Sequence, residues 1–420
     1  MFRAILLLAV CLSWLPSCLV AAEPRAVAGE VAATIEREYF DPQRGAGIAA
    51  ALRADADRGD FDRLQDPLDL ATALTTRLKP HDRHFNVRWS AGDEAPANGP
   101  RRPPPGAGPA RDNFGIRRVE VLPGNVGYLD LRQFADFDFA DPQAPARQAI
   151  DAALQLLAHV DALIIDLRDN GGGSPAMVGY LASAFAEPGA DIYNTFHSRT
   201  GTRSEAPAQG FASPRTQLPL YVLTSGRTGS AAEAFAYTLK NARRATVVGE
   251  ASGGAANPGR PFRLGDGFSV FVSTGSPVSP VTGSNWEGTG VAPDVEVAAA
   301  DALDRARRLA LAALVERGAG EPARWALEAA DATPATDATT LAGFAGDYGV
   351  LRVELAEGAL QLRQDRRPAL RLRPLSADMF FVDGEPTRRV RFERRPDGSI
   401  AALELQWADG QRARHARGEG

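Results

Sequence analysis

Apolar residues recur every fourth position near the start of the chain, at Val27, Val31, Ile35 and Tyr39. This spacing places them on one face of an α-helix. A second run of leucines follows Asp66-Pro67, an N-cap residue before a proline at the first helical position. The pattern predicts a small helical domain over residues 25–89, which ends in an alternating strand from Phe85 to Trp89.

The middle of the chain changes from helical spacing to continuous apolar runs. Residues 163–167 and 219–224 are almost wholly apolar, as expected of central parallel strands that are buried on both faces. Helices are predicted at 143–158, at 230–241 and as a closing helix that continues towards Trp325. Further strands are predicted at 126–131, 245–248 and 268–272. Alternating strands and helices predict an α/β core over residues 113–330.

Short strands with alternating polarity take over beyond residue 337. Turn signals such as Pro396-Asp397-Gly398 separate them. This pattern predicts an accessory antiparallel β domain over residues 337–416, in which we identify no catalytic chemistry. Residues 90–112, between the helical domain and the core, are crowded with proline and glycine and are predicted to form a linker.

The first 22 residues have the features of a signal peptide. Arg3 precedes an apolar run, and Ala21-Ala22 offers small residues at a cleavage site. Both cysteines, Cys11 and Cys18, lie in this segment, so cleavage would leave a chain without thiols. An exported protein, periplasmic or secreted, is therefore predicted, with no integral membrane span after cleavage. Lipoprotein anchoring through Cys18 is an alternative.

Charge and composition narrow the classes of function. The formal net charge is −5 over 420 residues. The chain thus lacks the excess of basic residues typical of nucleic-acid-binding proteins, and we expect no nucleic-acid partner. The length is sufficient for two or three domains with their own cores.

Two strand–turn–helix units carry the candidate chemistry. The second unit delivers Ser230 from a buried strand to the start of a helix, within Gly229-Ser230-Ala231-Ala232-Glu233. Free backbone N–H groups and the helix dipole favour developing negative charge at such a position. Ser230 is therefore a candidate nucleophile, and the Ala231 amide is a candidate oxyanion donor. The alternative is that Ser230 merely caps the helix.

The first unit ends in Asn170-Gly171-Gly172-Gly173. These glycines allow a sharp turn and a close approach to a ligand, although a plain strand-to-helix turn would have the same composition. A phosphate-binding loop is excluded, because neither a GxGxxG pattern nor a Lys-Ser/Thr pair is present at the required place.

A serine nucleophile needs a base, and few residues qualify. Lys79 and Lys240 are the only lysines. Lys240 lies ten positions after Ser230 on the same predicted helix, and Lys79 is in another predicted domain, so neither makes a dyad with Ser230. Among the five histidines, His84 precedes a strand and has Asp82 close by in sequence.

The combined pattern resembles a known family. Asp166-Leu167-Arg168-Asp169-Asn170 with the following glycines, Gly229 to Glu233, and Val248-Gly249-Glu250 are together similar to the carboxyl-terminal processing (tail-specific) serine peptidases. That family also includes the tricorn core protease and the interphotoreceptor retinoid-binding protein modules. The resemblance covers about residues 25–300 and implies a crotonase-like ββα-type core.

The resemblance also implies a choice of base. One branch of the family carries a lysine about 25 residues after the serine, where this chain has Ala255. The other branch uses histidine with a distant glutamate, and its motifs resemble His81 to Val87 and Asn285 to Asp294. The resemblance therefore nominates His84 as the general base and Glu287 as the acid that orients it. Gly172 or Gly173 would join the Ala231 amide as an oxyanion donor.

Two departures from the family pattern stand out. Arg83 occupies the place of the serine that directly precedes the histidine in tricorn-like members, so the residue that links Glu287 to His84 stays unassigned. No room is left between His84 and the core for a substrate-gripping PDZ domain.

The sequence thus predicts an exported serine peptidase that acts on a peptide or protein substrate without metal or cofactor. Ser230, His84 and Glu287 would form its catalytic site. A non-catalytic ligand-binding module on the same scaffold and an esterase with the same triad stay open as alternatives.

Overall fold

The structure is a computed structural model that describes residues 23–91, 110–138, 141–332 and 338–418. The predicted signal peptide and most of the predicted proline-rich linker lie outside these residues. Within the described ranges, no helix is both long and apolar enough to cross a membrane.

The α-helices of the described residues are α1 (Pro24–Glu38), α2 (Pro42–Asp57), α3 (Pro67–Leu78), α4 (Pro145–Leu156), α5 (Pro175–Ser183), α6 (Ala231–Asn241), α7 (Ala302–Glu316), α8 (Glu321–Asp331) and α9 (Ala338–Ala342). Proline occupies the start of α1 to α5, where its missing N–H group costs no hydrogen bond.

The strands that precede the accessory domain are β1 (Asn86–Trp89), β2 (Ile116–Leu122), β3 (Val126–Leu131), β4 (Ala162–Asp166), β5 (Thr195–Ser198), β6 (Gly201–Ser204), β7 (Leu220–Thr224), β8 (Thr246–Gly249), β9 (Gly259–Arg263), β10 (Phe268–Ser273), β11 (Gly275–Val278) and β12 (Val295–Glu296). The later strands are β13 (Gly346–Tyr348), β14 (Leu351–Ala356), β15 (Ala359–Gln364), β16 (Leu370–Pro374), β17 (Met379–Val382), β18 (Glu385–Arg394), β19 (Ile400–Trp407) and β20 (Arg412–Ala416).

The chain divides into two compact units. The described part of the first comprises residues 23–91, 198–200 and 258–275. Helices α1 to α3 pack there around the apolar face that was predicted from the sequence, and the Asp66 carboxylate caps α3 by accepting hydrogen bonds from two backbone amides. The predicted helical N-terminal region is confirmed.

Strand β10 corrects one prediction. Its sequence placed it with the α/β core, but β10 pairs with β1 and β9 in an antiparallel sheet of the first unit. Its apolar side chains Val270 and Val272 are buried in the same cluster as the helices. A short apolar run identifies a strand but does not specify its partners, and the partner strand β1 lies about 180 residues upstream.

The second unit is built on a six-stranded sheet with the order β12-β8-β7-β4-β3-β2. Strands β2 and β3 pair antiparallel, and the other four neighbouring pairs are parallel. Every residue of β3, β4 and β7 is buried. Helices α4, α5 and α6 contribute to the hydrophobic cluster on one face, and α7 and α8 contribute to the other cluster. The predicted α/β class is confirmed.

The closing helix is shorter than predicted. Helix α7 ends at Glu316 and α8 begins at Glu321. Gly318 follows the end of α7 with φ 79°, as glycine commonly does at a helix C-terminus, and Gly320 precedes α8 with φ 84° and ψ −169°. The spacing of Leu303, Leu311 and Leu314 with Trp325 further on predicts one continuous helix and does not reveal this break.

The accessory region, also in the second unit, is an eight-stranded antiparallel meander in which β13 to β20 follow chain order. Phe344, Tyr348, Phe380 and Phe392 are fully buried in its core. The predicted antiparallel β character is confirmed, whereas the boundaries of the five predicted segments of the chain stay predictions.

Candidate active site

Ser230 occupies the turn between β7 and α6, one residue before the helix begins. Ser230 is exposed to solvent, and its backbone has φ 52° and ψ −119°. An ordinary N-cap residue has extended dihedral angles, so a plain cap does not account for this conformation. Non-glycine residues adopt it only under tertiary constraint, and strained strand-to-helix turns of this kind carry the nucleophile of many hydrolases.

The constraint comes from Glu233, in the first turn of α6. Its carboxylate is fully buried and accepts a hydrogen bond from the Ser230 amide at 2.8 Å. The Ser252 hydroxyl and the Gly254 amide donate to Oε1, each at 2.6 Å, and the Ala255 amide donates to Oε2 at 2.9 Å. Four donors compensate the burial of this charge.

The turn between β4 and α5, which contains Gly172 and Gly173, lies in contact with Ser230. Their φ angles are 117° and 139°, which disfavour any residue with a side chain. A Cβ on Gly172 would lie 2.7 Å from Ser230 Cβ and 3.0 Å from the Ala231 nitrogen. A Cβ on Gly173 would lie 2.0 Å from the Phe134 carbonyl oxygen. The two turns are therefore in contact, and neither glycine has room for a substituent.

Asn170 joins the two turns through hydrogen bonds. Its backbone carbonyl accepts from the Gly229 amide at 3.0 Å, and its side-chain oxygen accepts from the Gly172 amide at 2.9 Å. The side-chain amide in turn donates to the Leu131 carbonyl at 2.9 Å. The Gly172 N–H group is thus engaged, while within residues 141–332 the Ala231 amide donates no hydrogen bond.

Side chains of the β7–α6 turn also bind the end of β4. The Ser225 hydroxyl donates to the Arg168 carbonyl at 2.5 Å, and the Thr228 hydroxyl donates to the Leu167 carbonyl at 2.8 Å. Asp166, the last residue of β4, is buried. Burial would raise the pKa of its carboxyl, but the hydrogen bonds from Arg168 and Tyr128 lower it below its usual range. Both turns are therefore fixed at the carboxyl ends of the neighbouring central strands β4 and β7.

Glu287 lies in the same unit and is half-buried. Its Oε2 accepts from the Ala256 amide at 2.9 Å and from the Asn257 amide at 3.0 Å. Four consecutive amides, of residues 254–257, are thus divided between Glu233 and Glu287. Ala255, which stands where the lysine-using branch of the family carries its base, is the second of these four residues.

Lys240 is placed near the far end of α6. Its ammonium pairs with Asp294 at 3.2 Å and donates to the Ala292 carbonyl. The helical rise over ten residues separates it from Ser230 by about 15 Å along the axis. This separation agrees with the argument against a dyad of Ser230 and Lys240.

His84 lies in the first unit, between α3 and β1. Its Nδ1 is 3.0 Å from Asp82 Oδ1, and its backbone amide donates to the same oxygen at 2.9 Å. The Tyr39 hydroxyl donates to Asp82 Oδ2 at 3.1 Å. His84 therefore has a buried carboxylate partner two residues away.

The structure thus brings Ser230, Ala231, Gly172 and Gly173 together within the second unit, and Glu287 is attached to the same assembly through residues 254–257. The sequence alone predicts no role for Glu233 or Asn170. The spacing Ser230-x-x-Glu233 is a capping-box signal that could have found the first of them. No comparable pattern marks Asn170.

The α/β core has a recognisable counterpart among known families. Residues 125–297 match peptidase family S41. This segment contains Ser230, Glu233, Glu287 and the glycine turn. The predicted family resemblance is confirmed over this part of the chain.

Individual relatives agree with the family match. The chain is 29% identical over 191 residues to a carboxy-terminal-processing protease of Bartonella bacilliformis, covering 44% of this chain and 42% of that protein. It is 30% identical over 185 residues to the chloroplastic carboxyl-terminal-processing peptidase 2 of Arabidopsis thaliana, covering 42% of this chain and 34% of that protein. The chain thus spans less than half the length of these relatives.

Among solved structures, the photosystem II D1 C-terminal processing protease is similar with a TM-score of 0.41 and 17% identity, over 66% of this chain and 94% of that one. A lipoprotein from Streptococcus agalactiae is similar with a TM-score of 0.45 and 17% identity, over 71% of this chain and 99% of that one.

Proposed function

We propose that this protein is a serine peptidase with Ser230 as its nucleophile. The observation that carries the proposal is the backbone of Ser230, held at φ 52° and ψ −119° at the start of α6. Glu233 and Gly172 constrain this conformation from two sides. A cap residue needs no such strain, whereas a nucleophile at the start of a helix does.

In the proposed reaction, Ser230 Oγ attacks the carbonyl carbon of a peptide bond while His84 accepts the hydroxyl proton. The Ala231 and Gly173 amides donate to the oxyanion of the tetrahedral intermediate, each contributing roughly 3 kcal/mol. His84 then gives the proton to the leaving amine, and an acyl-enzyme forms. Water hydrolyses this ester by the same sequence with His84 again as base.

Gly173 is favoured over Gly172 as the second donor because the Gly172 amide already donates to Asn170 Oδ1. Glu287 is proposed as the acid that stabilises the imidazolium of His84 during the transfer. The absence of a lysine at Ala255 supports histidine as the base.

The substrate is proposed to be a peptide or protein, because the relatives over this segment are named processing proteases. We also propose export to the periplasm or the medium, which rests on the signal-peptide pattern of residues 1–22. Residues 337–416 are proposed to be an accessory domain.

A fluorophosphonate probe tests the nucleophile directly, since it reacts covalently with activated serines. We expect labelling of the wild type at Ser230 and loss of labelling in Ser230→Ala and in His84→Ala. Ser204→Ala and His81→Ala are matched controls, because Ser204 is exposed on β6 and His81 lies three residues before His84. Both controls should label at the wild-type rate.

Substrate panels separate the remaining functions. A peptidase cleaves denatured proteins or peptide libraries, and the cleavage depends on Ser230. Turnover of esters without any peptide cleavage would establish an esterase instead. An unlabelled wild type that cleaves neither class would overturn the enzyme proposal in favour of a ligand-binding module.

A further inference from the structure

We propose that Asp82 is the positioning residue of His84, the group that fixes the tautomer of the imidazole. This inference rests on the proposed function, because it takes His84 as the general base. The family resemblance nominates Glu287 for this task and leaves unassigned the residue that links it to His84.

The contact between the two side chains is direct. His84 Nδ1 lies 3.0 Å from Asp82 Oδ1, which is hydrogen-bonding distance. The backbone amide of His84 donates to the same oxygen at 2.9 Å. A carboxylate oxygen only accepts, so Nδ1 must carry the proton in this pair. Nε2 is then the unprotonated ring nitrogen, which is the form that a general base requires.

Asp82 is itself held in place. Its side chain is 2% exposed, while that of His84 is 17% exposed. The Tyr39 hydroxyl donates to the second carboxylate oxygen at 3.1 Å, and the Tyr39 ring is buried in the core of the first unit. The Phe85 amide donates to the Asp82 carbonyl at 3.1 Å, which closes the turn around His84.

The charge of Asp82 persists at neutral pH. Burial would raise the pKa of its carboxyl, but the hydrogen bonds from the His84 ring and backbone outweigh burial and lower the pKa below its usual range. An ionised carboxylate beside Nδ1 also stabilises the imidazolium that forms when His84 accepts a proton.

This assignment accounts for Arg83. Tricorn-like members place a hydroxyl residue directly before the histidine, and this chain has arginine there. An aspartate one position earlier that contacts Nδ1 directly makes a hydroxyl link unnecessary for orienting the ring. Glu287 then contributes charge to the imidazolium without setting the tautomer.

Asp82→Asn is the decisive variant, because asparagine keeps the size of the side chain and can present its NH₂ group to Nδ1. The wrong tautomer then places the proton on Nε2. We expect kcat for peptide cleavage to fall about 10³- to 10⁴-fold with KM nearly unchanged. Asp82→Glu, which retains the charge, should recover part of the loss. Asp57→Asn, an exposed aspartate of α2, should keep wild-type kcat.

Nuclear magnetic resonance gives a readout that a merely structural role would not produce. Wild-type protein with ¹⁵N-labelled histidine should show a deshielded Nδ1 proton, assigned by its absence in His84→Gln. The signal should vanish in Asp82→Asn and persist in Glu287→Gln. If Asp82→Asn does not fold, the wild-type signal and the Glu287→Gln and Asp82→Glu variants decide the question.

Two outcomes would overturn the inference: wild-type kcat in Asp82→Asn, or loss of the Nδ1 signal in Glu287→Gln alone. Failure of the proposed function looks different. In that case the fluorophosphonate probe leaves the wild type unlabelled, while the Nδ1 signal still reports whether Asp82 holds the ring.

Discussion

The turn that carries Ser230 is held through its backbone, whereas the turn that carries His84 is held through a side-chain carboxylate. Glu233 accepts from the Ser230 amide and from three further donors, so removing it would release several chain segments at once. Asp82 accepts from the ring and the amide of His84 and from the Tyr39 hydroxyl, and the Ser273 hydroxyl also helps to lower the pKa of its carboxyl. Loss of the Glu233 carboxylate should therefore displace more of the chain than loss of the Asp82 carboxylate.

Among the variants that test this contrast, which are additional to Asp82→Asn, Glu233→Gln is expected to have the largest effect. The glutamine NH₂ group cannot accept from the Ser230 and Ala255 amides, which leaves buried donors without partners. A shift of Ser230 by about 1 Å would cost about 10²-fold, and with added disorder we expect about 10³-fold slower fluorophosphonate labelling. Thermal unfolding should also begin at a lower temperature.

Glu187→Gln, on an exposed loop, is the control and should leave both measurements unchanged. If Glu233→Gln labels at the wild-type rate, the carboxylate does not maintain the conformation of Ser230, and the contrast between the two turns disappears.

Gly172→Ala tests the contact between the glycine turn and Ser230. The new methyl group would lie 2.7 Å from Ser230 Cβ at a φ of 117°, so the serine or the turn must move. We expect about 10²-fold slower peptide cleavage, mostly in kcat. Gly189→Ala is a suitable control, since Gly189 also has positive φ but nothing within 4 Å of the added carbon. Equal losses in the two variants would mean that backbone strain, and not the contact, matters.

Tyr39→Phe probes the His84 side with a smaller change. It removes the hydroxyl that donates to Asp82 Oδ2 and keeps the buried ring. Loss of one hydrogen bond, worth about 1 kcal/mol, should reduce kcat about fivefold. A loss as large as that of Glu233→Gln would contradict the view that the His84 turn has few supports.

Glu205→Gln should have the smallest effect, on stability alone. Glu205 is buried like Glu233, but one of its carboxylate oxygens has no partner within the described residues. Burial raises the pKa of its carboxyl to about 7 despite the hydrogen bonds from Asn194. A folded pKa above the unfolded value of about 4.3 means that the folded state keeps its proton while the unfolded state loses it.

The stability of the wild type should therefore fall as pH rises from about 4.3 to about 7, through this group. Glu205→Gln removes this contribution, so its unfolding temperature should exceed that of the wild type by about 2–4 °C at pH 8. Glu316→Gln, on the exposed side of α7, serves as the control. An unchanged pH dependence in Glu205→Gln would show that Glu205 is not the group responsible.

Local patterns were sufficient to predict the elements that hold Ser230. The apolar runs of β4 and β7 and the glycines after β4 are local features, and their order specifies a parallel sheet with both turns at one edge. The dihedral angles of Ser230 could not be predicted in this way. They result from Glu233 and Gly172, whose contacts depend on the folded arrangement.

Contacts between residues far apart in sequence explain why the unit of β10 and the contact of Asp82 could not be predicted. Strand β10 has the apolar run of a mostly buried strand, and its pairing with β1 and β9 assigns it to the first unit. Asp82 stands two positions before His84, yet this proximity in sequence does not specify which ring nitrogen it contacts. That detail depends on the turn after α3, which Tyr39 helps to fix from another helix end.

The four amides of residues 254–257 hold this segment through its backbone, so it should tolerate changes of side chain. Because Glu233 and Glu287 accept hydrogen bonds from main-chain amides, the anchoring of residues 255–257 does not depend on their side chains, whereas the φ of 79° at Gly254 favours glycine there. Position 255 can therefore exchange alanine for lysine without releasing the loop.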